Sequence, residues 1–165
     1  MKQVLDVCCG SRMFYFNKND SRVSFNDIRQ VDVKLCDGRR LLVQPDTQFD
    51  FRKLPYKDKS FKLVVFDPPH LVKAGKKSWL AQKYGVLPED WRKYIKDGFD
   101  ECWRCLDNGG ILLMKWSCNQ IEAKKVLQAI EHTPLLGDKR GSKRWFIFYK
   151  EVIISETVDE RQQGK

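Results

Sequence analysis

Phe61-Lys62-Leu63-Val64-Val65-Phe66-Asp67-Pro68-Pro69-His70 is an apolar strand that ends abruptly in an acid, two prolines and an aromatic ring. The unbroken apolar run Leu63 to Phe66 is the pattern of a strand buried on both faces of a parallel sheet. Proline fixes φ and has no N–H, so Pro68 and Pro69 neither extend the strand nor enter a helix interior. The residue before each proline is pushed towards extended backbone. The stretch therefore predicts a stiff corner at the carboxyl end of a central strand, presenting Asp67 and His70. Ligands of open α/β sheets sit at that edge.

Upstream of the corner, Val4, Leu5 and Val7 make a short strand that turns at Cys8-Cys9-Gly10-Ser11, and Arg12 to Asn17 are expected to begin a short helix. Val23 to Ile28 alternates as a second strand. Val31 to Val43, turning at Asp37-Gly38, has the pattern of a hairpin lying outside the main sheet. Phe49-Asp50-Phe51 reads as a short third strand, followed by a polar connection from Leu54 to Ser60.

Downstream, residues 71–87 are less regular and carry Lys73, Lys76, Lys77 and Lys83 beside Trp79 and Tyr84. Pro88-Glu89-Asp90 opens a helix, because proline suits a first turn and acids favour the N-terminal dipole end. That helix runs from Trp91 to Leu106, and Asn108-Gly109-Gly110 ends it. Ile111 to Met114 is a buried strand, Ile121 to Ile130 a helix, Leu135-Leu136 a short strand and Trp145 to Val152 the last strand. Gly137 to Arg144 is a basic loop containing Lys139, Arg140, Lys143 and Arg144. Strand and helix alternate, which predicts a mostly parallel sheet with helices on both faces, a Rossmann-like three-layer αβα sandwich.

The chain has 165 residues, matching one domain over 1–152 with a polar tail over 153–165. The net charge of +9 suits a polyanionic partner, nucleic acid above all. No apolar run approaches the roughly 20 residues of a membrane span, so no membrane partner is expected. Charges arrive too early at the N-terminus for a signal peptide, which points to the cytoplasm. The six cysteines include Cys102 and Cys105 in a C-x-x-C pair without a second pair at finger spacing, and read as free thiols. His70 and His132 are the only histidines, and no metal cluster is evident.

Four sites carry the chemistry. The strand–glycine–helix pattern of Asp6-Val7-Cys8-Cys9-Gly10-Ser11 lets backbone N–H groups approach a ligand, although it lacks the full G-x-G-x-x-G of dinucleotide binders. Asp27 ends the second strand seventeen residues after Gly10, where an acid accepts hydrogen bonds from ribose hydroxyls. Asp50 ends the third strand, placed to accept from an adenine amine. Asp67 to His70 offers a carboxylate and carbonyls to hold an amine, and a ring to stack on a flat base, as in enzymes that read an extruded base.

Together these sites resemble the class I S-adenosylmethionine-dependent methyltransferases, over roughly residues 3 to 150. Asp6 to Ser11 is similar to their first motif, and Asp27 to their ribose acid. Asp50 with Leu54-Pro55 and Ser60-Phe61 is similar to their D-x-x-x-L-P…S-F stretch. Asp67-Pro68-Pro69-His70 resembles the [DNS]-P-P-[YFWH] motif of the group that methylates exocyclic amines, and the whole chain resembles small phage and prophage methyltransferases of bacteria. The resemblance implies a seven-stranded sheet with a terminal antiparallel hairpin. It implies S-adenosylmethionine as cofactor, held by Asp6, Cys8, Gly10, Ser11, Asp27, Ile28, Asp50 and Phe51. It also implies methyl transfer at Asp67, Pro68, Pro69 and His70 to an exocyclic base amine, adenine first, of DNA or RNA.

Residues 71–87 would serve as a lid, with Lys76 and Lys77 meeting phosphates and Trp79 and Tyr84 stacking on bases. Arg12 departs from the family by standing where a second glycine is usual, and His70 by replacing the commoner tyrosine. The first strand lacks the helix that precedes it in many members, which would leave an apolar sheet face for a second copy in a homodimer. Two alternatives remain open: a methyltransferase for a small molecule or protein side chain, and a non-catalytic S-adenosylmethionine-binding module.

Overall fold

In the computed structural model the described residues are 2–75, 78–138 and 141–152. The strands are β1 (Val4–Asp6), β2 (Val23–Phe25), β3 (Val31–Lys34), β4 (Arg40–Val43), β5 (Phe61–Phe66), β6 (Leu106–Ser117), β7 (Leu136–Gly137) and β8 (Lys143–Tyr149); the helices are α1 (Trp79–Tyr84), α2 (Trp91–Cys105) and α3 (Ala123–Ile130). Six strands form one sheet in the order β2-β1-β5-β6-β8-β7, and β3 and β4 pair separately. β2, β1, β5 and β6 run parallel, while β8 is antiparallel to both β6 and β7.

The core lies on one face of this sheet. Trp91, Ile95, Phe99, Cys102 and Cys105 recur along α2 at three-and-four spacing and are all buried, as are Val126 and Ile130 of α3. They pack on Leu5, Val64, Phe66, Leu112, Met114, Trp116, Phe146 and Phe148, the inward residues of four strands. Fully burying each such side chain contributes about 1.5–3 kcal/mol. Phe99 meets Phe148 edge to face at 5.0 Å.

Three expectations are corrected. Among the described residues the sheet has six strands rather than seven, because Phe49 to Phe51 is not a strand. Beyond β4 the chain touches β2 through a single bridge, Asn26 to Thr47. The buried Asn26 amide replaces the missing ladder. Its Nδ2 donates to the Val7 and Phe49 carbonyls, and its Oδ1 accepts from the Phe49 N–H and the Thr47 hydroxyl.

The helix expected at Arg12 to Asn17 is a series of turns. Arg12 has φ +54°, a left-handed conformation that stops a right-handed helix from starting.

The third correction concerns the layers. Among the described residues the helices that bury side chains are α2 and α3, both in the one core cluster, while α1 has no buried residue to lay on the opposite face. Val4, Leu63, Ile111 and Tyr149 form a cross-strand row on that face, and Ile111 and Tyr149 are exposed.

Smaller shifts occur at boundaries. β6 begins directly after α2 and runs through Asn108-Gly109-Gly110 instead of starting at Ile111, and the short strand falls at Leu136–Gly137.

Gly98 lets α2 lie close to the sheet: a Cβ there would overlap the Phe51 ring and crowd the Phe66 Cζ at 3.2 Å. Gly98→Ala is expected to cost about 1–3 kcal/mol through overpacking, lowering the thermal midpoint by roughly 2–4 °C per kcal/mol. A melt by circular dichroism checks this, and an unchanged midpoint would show that Phe51 yields freely.

Candidate functional site

Because β1 and β5 are parallel neighbours, the turn after β1 and the proline corner after β5 emerge side by side. The Val7 N–H donates to the Val65 carbonyl at 3.1 Å, carrying the pairing one residue past β1. The Cys9 N–H donates to the Asn26 carbonyl at 2.9 Å and ties the turn to the end of β2. Gly10 takes φ +49°, with open space where a side chain would begin. Between turn and corner lies a cleft of about 340 Å3, walled by Gly10, Asp27, Phe51, Asp67, His70 and Tyr84 among others.

Asp27 is almost fully buried at the cleft floor. Its Oδ2 accepts from the Gly10 N–H at 3.0 Å and from Arg29 Nη2 at 3.1 Å. Its Oδ1 accepts from the Arg29 backbone N–H at 2.9 Å and from Arg29 Nε at 3.0 Å. The remaining guanidinium nitrogen, Nη1, donates to the carbonyls of Gln82 and Lys83. One arginine thus neutralises the buried acid and tethers the end of α1 across the cleft.

Asp6 lies behind the turn and does not line the cleft. Its Oδ1 accepts from the Cys8 N–H at 3.2 Å, and burial raises its carboxyl to about 7, against that hydrogen bond.

At the corner, Asp67 is partly buried, and burial raises its carboxyl to about 6. Lys115 of β6 opposes that shift, with its Nζ 3.5 Å from Oδ2. The same Nζ stands 4.6 Å from the Phe14 ring centre. The His70 ring lies 5.2 Å from the Tyr84 ring and 6.4 Å from that of Trp116. Burial lowers its pKa, Lys115 acts in the same sense and the Pro68 carbonyl acts against it, so the ring is held neutral near pH 7. A neutral flat ring beside an acid with an elevated pKa is suited to stacking and to accepting hydrogen bonds from an amine.

Of the residues singled out in sequence, Cys8, Gly10, Ser11, Asp27, Ile28, Phe51, Asp67, Pro68, Pro69, His70 and Tyr84 all border the cleft. Asp50 does not; Arg52 takes both of its oxygens at the surface. Trp79 turns away and packs on the Leu35, Leu41 and Val43 cluster beneath the Arg39 guanidinium. Lys76, Lys77, Lys139 and Arg140 lie outside the described residues.

Arg12 does not obstruct the cleft. Its guanidinium turns away to the carbonyls of Lys18 and Gln44 and to Asp46, and lies over the Phe25 ring at 3.9 Å. Its positive φ is the backbone conformation that a glycine adopts readily. Arg29 and Lys115 also line the cleft and stand outside the motifs. Lys115 had a signal, a polar residue directly after an apolar strand run, as Asp67 is. Arg29 had one for its grip on Asp27, an Asp-x-Arg spacing that recurs at Asp20, Asp37 and Asp50, but only the fold brings residues 82 and 83 to it.

No protein-family model and no curated protein sequence matches the chain. Solved structures do match in fold. The Pyrococcus horikoshii OT3 protein PH0226 shares 17% identity over 91% of this chain and 82% of its own, with a TM-score of 0.57. A Thermotoga maritima SAM-dependent methyltransferase, described as a possible histamine N-methyltransferase, shares 12% over 90% and 82%, with a TM-score of 0.52. A Streptococcus mutans protein described as a SAM-dependent methyltransferase shares 15% over 90% of this chain but only 44% of its own, with a TM-score of 0.51. The chain therefore has a Rossmann-like α/β fold of the kind found in class I methyltransferases.

Arg29→Ala would leave Asp27 with backbone donors alone and cut the tether to residues 82 and 83. Hydrogen exchange in residues 79–85 is expected to accelerate, with a stability loss of about 1–3 kcal/mol. Unaltered exchange there would show that other contacts hold α1.

Proposed function

We propose that this chain is an S-adenosylmethionine-dependent methyltransferase acting on an exocyclic amine of a nucleic-acid base, with adenine the first candidate. The observation that carries the reading is the meeting of a glycine turn and a ribose-type acid with the Asp67-Pro68-Pro69-His70 corner across one cleft. The cofactor assignment is supported by the open space at Gly10 and by the depth of Asp27. Gly10 and Ser11 would meet the cofactor with backbone, Asp27 its ribose, and Ile28 and Phe51 its adenine ring. Arg29 must give way for Asp27 to take ribose hydroxyls, since its guanidinium nitrogens occupy both oxygens.

When bound, S-adenosylmethionine supplies a methyl group already activated on a sulfonium, so the protein's task is alignment and electrostatics. Asp67, once ionised, accepts a hydrogen bond from the amine and turns the nitrogen lone pair towards the cofactor side. It is also a base at the site for the proton the nitrogen sheds on methylation. His70 and Tyr84 offer rings beside the amine. The net charge of +9 favours a polyanionic substrate.

The sign of the pH dependence follows from Asp67. Its folded pKa of about 6 exceeds the ordinary 3.8. Between those values the folded chain keeps a proton that the unfolded chain has lost, so this carboxyl favours folding less as pH rises through the window. Methyl transfer, which needs the ionised form, increases over the same range.

Calorimetry is expected to show S-adenosylmethionine binding. Labelled-methyl transfer into DNA, transfer RNA or ribosomal RNA is expected to fall by about 100-fold or more in Asp67→Ala. No binding would overturn the methyltransferase reading; equal transfer by the variant would overturn the role of Asp67. Label found only in small molecules or protein would move the substrate elsewhere. In a pH–rate profile the acid limb should centre near 6. Lys115→Met should move it upward, because the ammonium that favours the ionised carboxylate is gone.

A further inference from the structure

The turn segment after Gly10 holds large apolar side chains out in water. Tyr15 points inward and meets Phe25 edge to face at 4.8 Å. Its neighbours point outward: Met13 is 68% exposed, Phe14 36% and Phe16 fully. Their exposure is built in. The Arg12 N–H donates to the Cys9 carbonyl, the Tyr15 N–H to the Arg12 carbonyl and the Asp20 N–H to the Asn17 carbonyl, while the Arg12 side chain closes the loop onto Lys18, Gln44 and Asp46. Clustered apolar exposure of this kind marks a contact surface.

Two observations say what the surface meets. It is continuous with the cleft, because Met13 and Phe14 line the cleft mouth and Phe14 meets Trp145 edge to face at 5.1 Å. It is also basic. Lys115 Nζ lies 4.6 Å from the Phe14 ring centre, 5.8 Å from that of Trp145 and 3.5 Å from Asp67. The exposed Lys143, two residues before Trp145, stands close enough to influence both Asp67 and His70. Rings with cations between them, at the edge of a site that takes a base, fit an unpaired polynucleotide strand: bases stack on aromatic faces and phosphates meet the ammonium groups. A paired duplex buries its base faces and cannot use such rings.

We propose that Phe16 and the Phe14–Trp145 pair, with Lys143, form a stacking surface for unpaired nucleotides flanking the target base, so that the substrate is a single-stranded nucleic-acid segment. The proposal rests on the methyltransferase reading for the target base, but the surface is tested separately from it.

Fluorescence anisotropy with a labelled 15-nucleotide single strand, as DNA and as RNA, and with the matching duplex, reads the surface directly. The wild-type chain is expected to bind a single strand more tightly than the duplex. Phe16→Ala should weaken single-strand binding roughly 5- to 150-fold, the range for loss of one stacked base. Phe16→Trp should restore it. Lys143→Ala should lower the salt slope by about one unit. Phe16 does not line the cleft, so cofactor affinity by calorimetry should be unchanged in Phe16→Ala, which also controls for folding.

Equal single-strand affinity in Phe16→Ala, equal binding of duplex, or no binding by the wild-type chain would each overturn the proposal. So would a dimer in sedimentation that Phe16→Ala dissolves, since the surface would then receive a second copy. Failure of the methyltransferase reading shows instead as absent cofactor binding, whatever the oligonucleotides do.

Discussion

Val4, Leu5 and Asp6 of β1 lie in register beside Leu63, Val64 and Val65 of β5, and because the strands are parallel both leave the sheet at the same edge. Everything at the cleft depends on that pairing. An antiparallel or slipped register would send the glycine turn and the proline corner to different places. The pairing is held by alternation: Leu5, Val64 and Phe66 go under α2 and α3, while Asp6 and Val65 face the other way. A slip of one residue would exchange the two sets and turn Asp6 into the apolar layer under α2 and α3. Proline then keeps the corner from relaxing back into the strand.

Charge is organised at this edge by internal partners. Three acids, Asp6, Asp27 and Asp67, converge near the turn; burial raises the carboxyls of Asp6 and Asp67, and at Asp6 the charges of Asp67 and Asp27 add to that rise. The chain answers with one cation for each of the two that reach the cleft, Arg29 for Asp27 and Lys115 for Asp67. Both cations sit where a ligand group would come. The two acids of the cleft are thus paired within the chain, and any molecule that uses them has to exchange for these contacts. The asymmetry between the two pairs is informative. Arg29 holds its acid through three side-chain and backbone donors, whereas Lys115 makes one looser approach. The Asp27 side is locked, and the Asp67 side is soft.

Much of this was legible in sequence, for reasons that can be named. Leu63 to Phe66 followed by two prolines has only one sensible geometry, and the spacing from Gly10 to Asp27 reflects a strand–turn–strand path of fixed length. Local signals failed where a side chain took over from backbone. Phe49 to Phe51 has strand composition, but Asn26 satisfies that backbone through its amide, and no pattern announces such a substitution. Arg12 to Asn17 has helix-compatible residues, yet the left-handed Arg12 and its distant acceptors at Gln44 and Asp46 stop the helix. Trp79 looked like a stacking residue by composition alone, and the hairpin cluster claimed it. Each miss is a long-range contact overriding a short-range preference.

Among the described residues, the strand latest in sequence is not at the sheet's margin. β8 inserts between β6 and β7, pairing with β6 over seven residues from Ile111 to Ser117. During synthesis, β6 leaves the ribosome about thirty residues ahead of its partner, at the usual pace of some 5–20 residues per second. For a few seconds it presents a long edge bearing Leu112, Met114 and Trp116, with no strand to cap it. An uncapped apolar edge is a template for another chain. The order of the sheet therefore makes the nascent chain more vulnerable than the finished one, and a ribosome stalled between β6 and β8 would expose the part of this molecule most prone to pair with its neighbours.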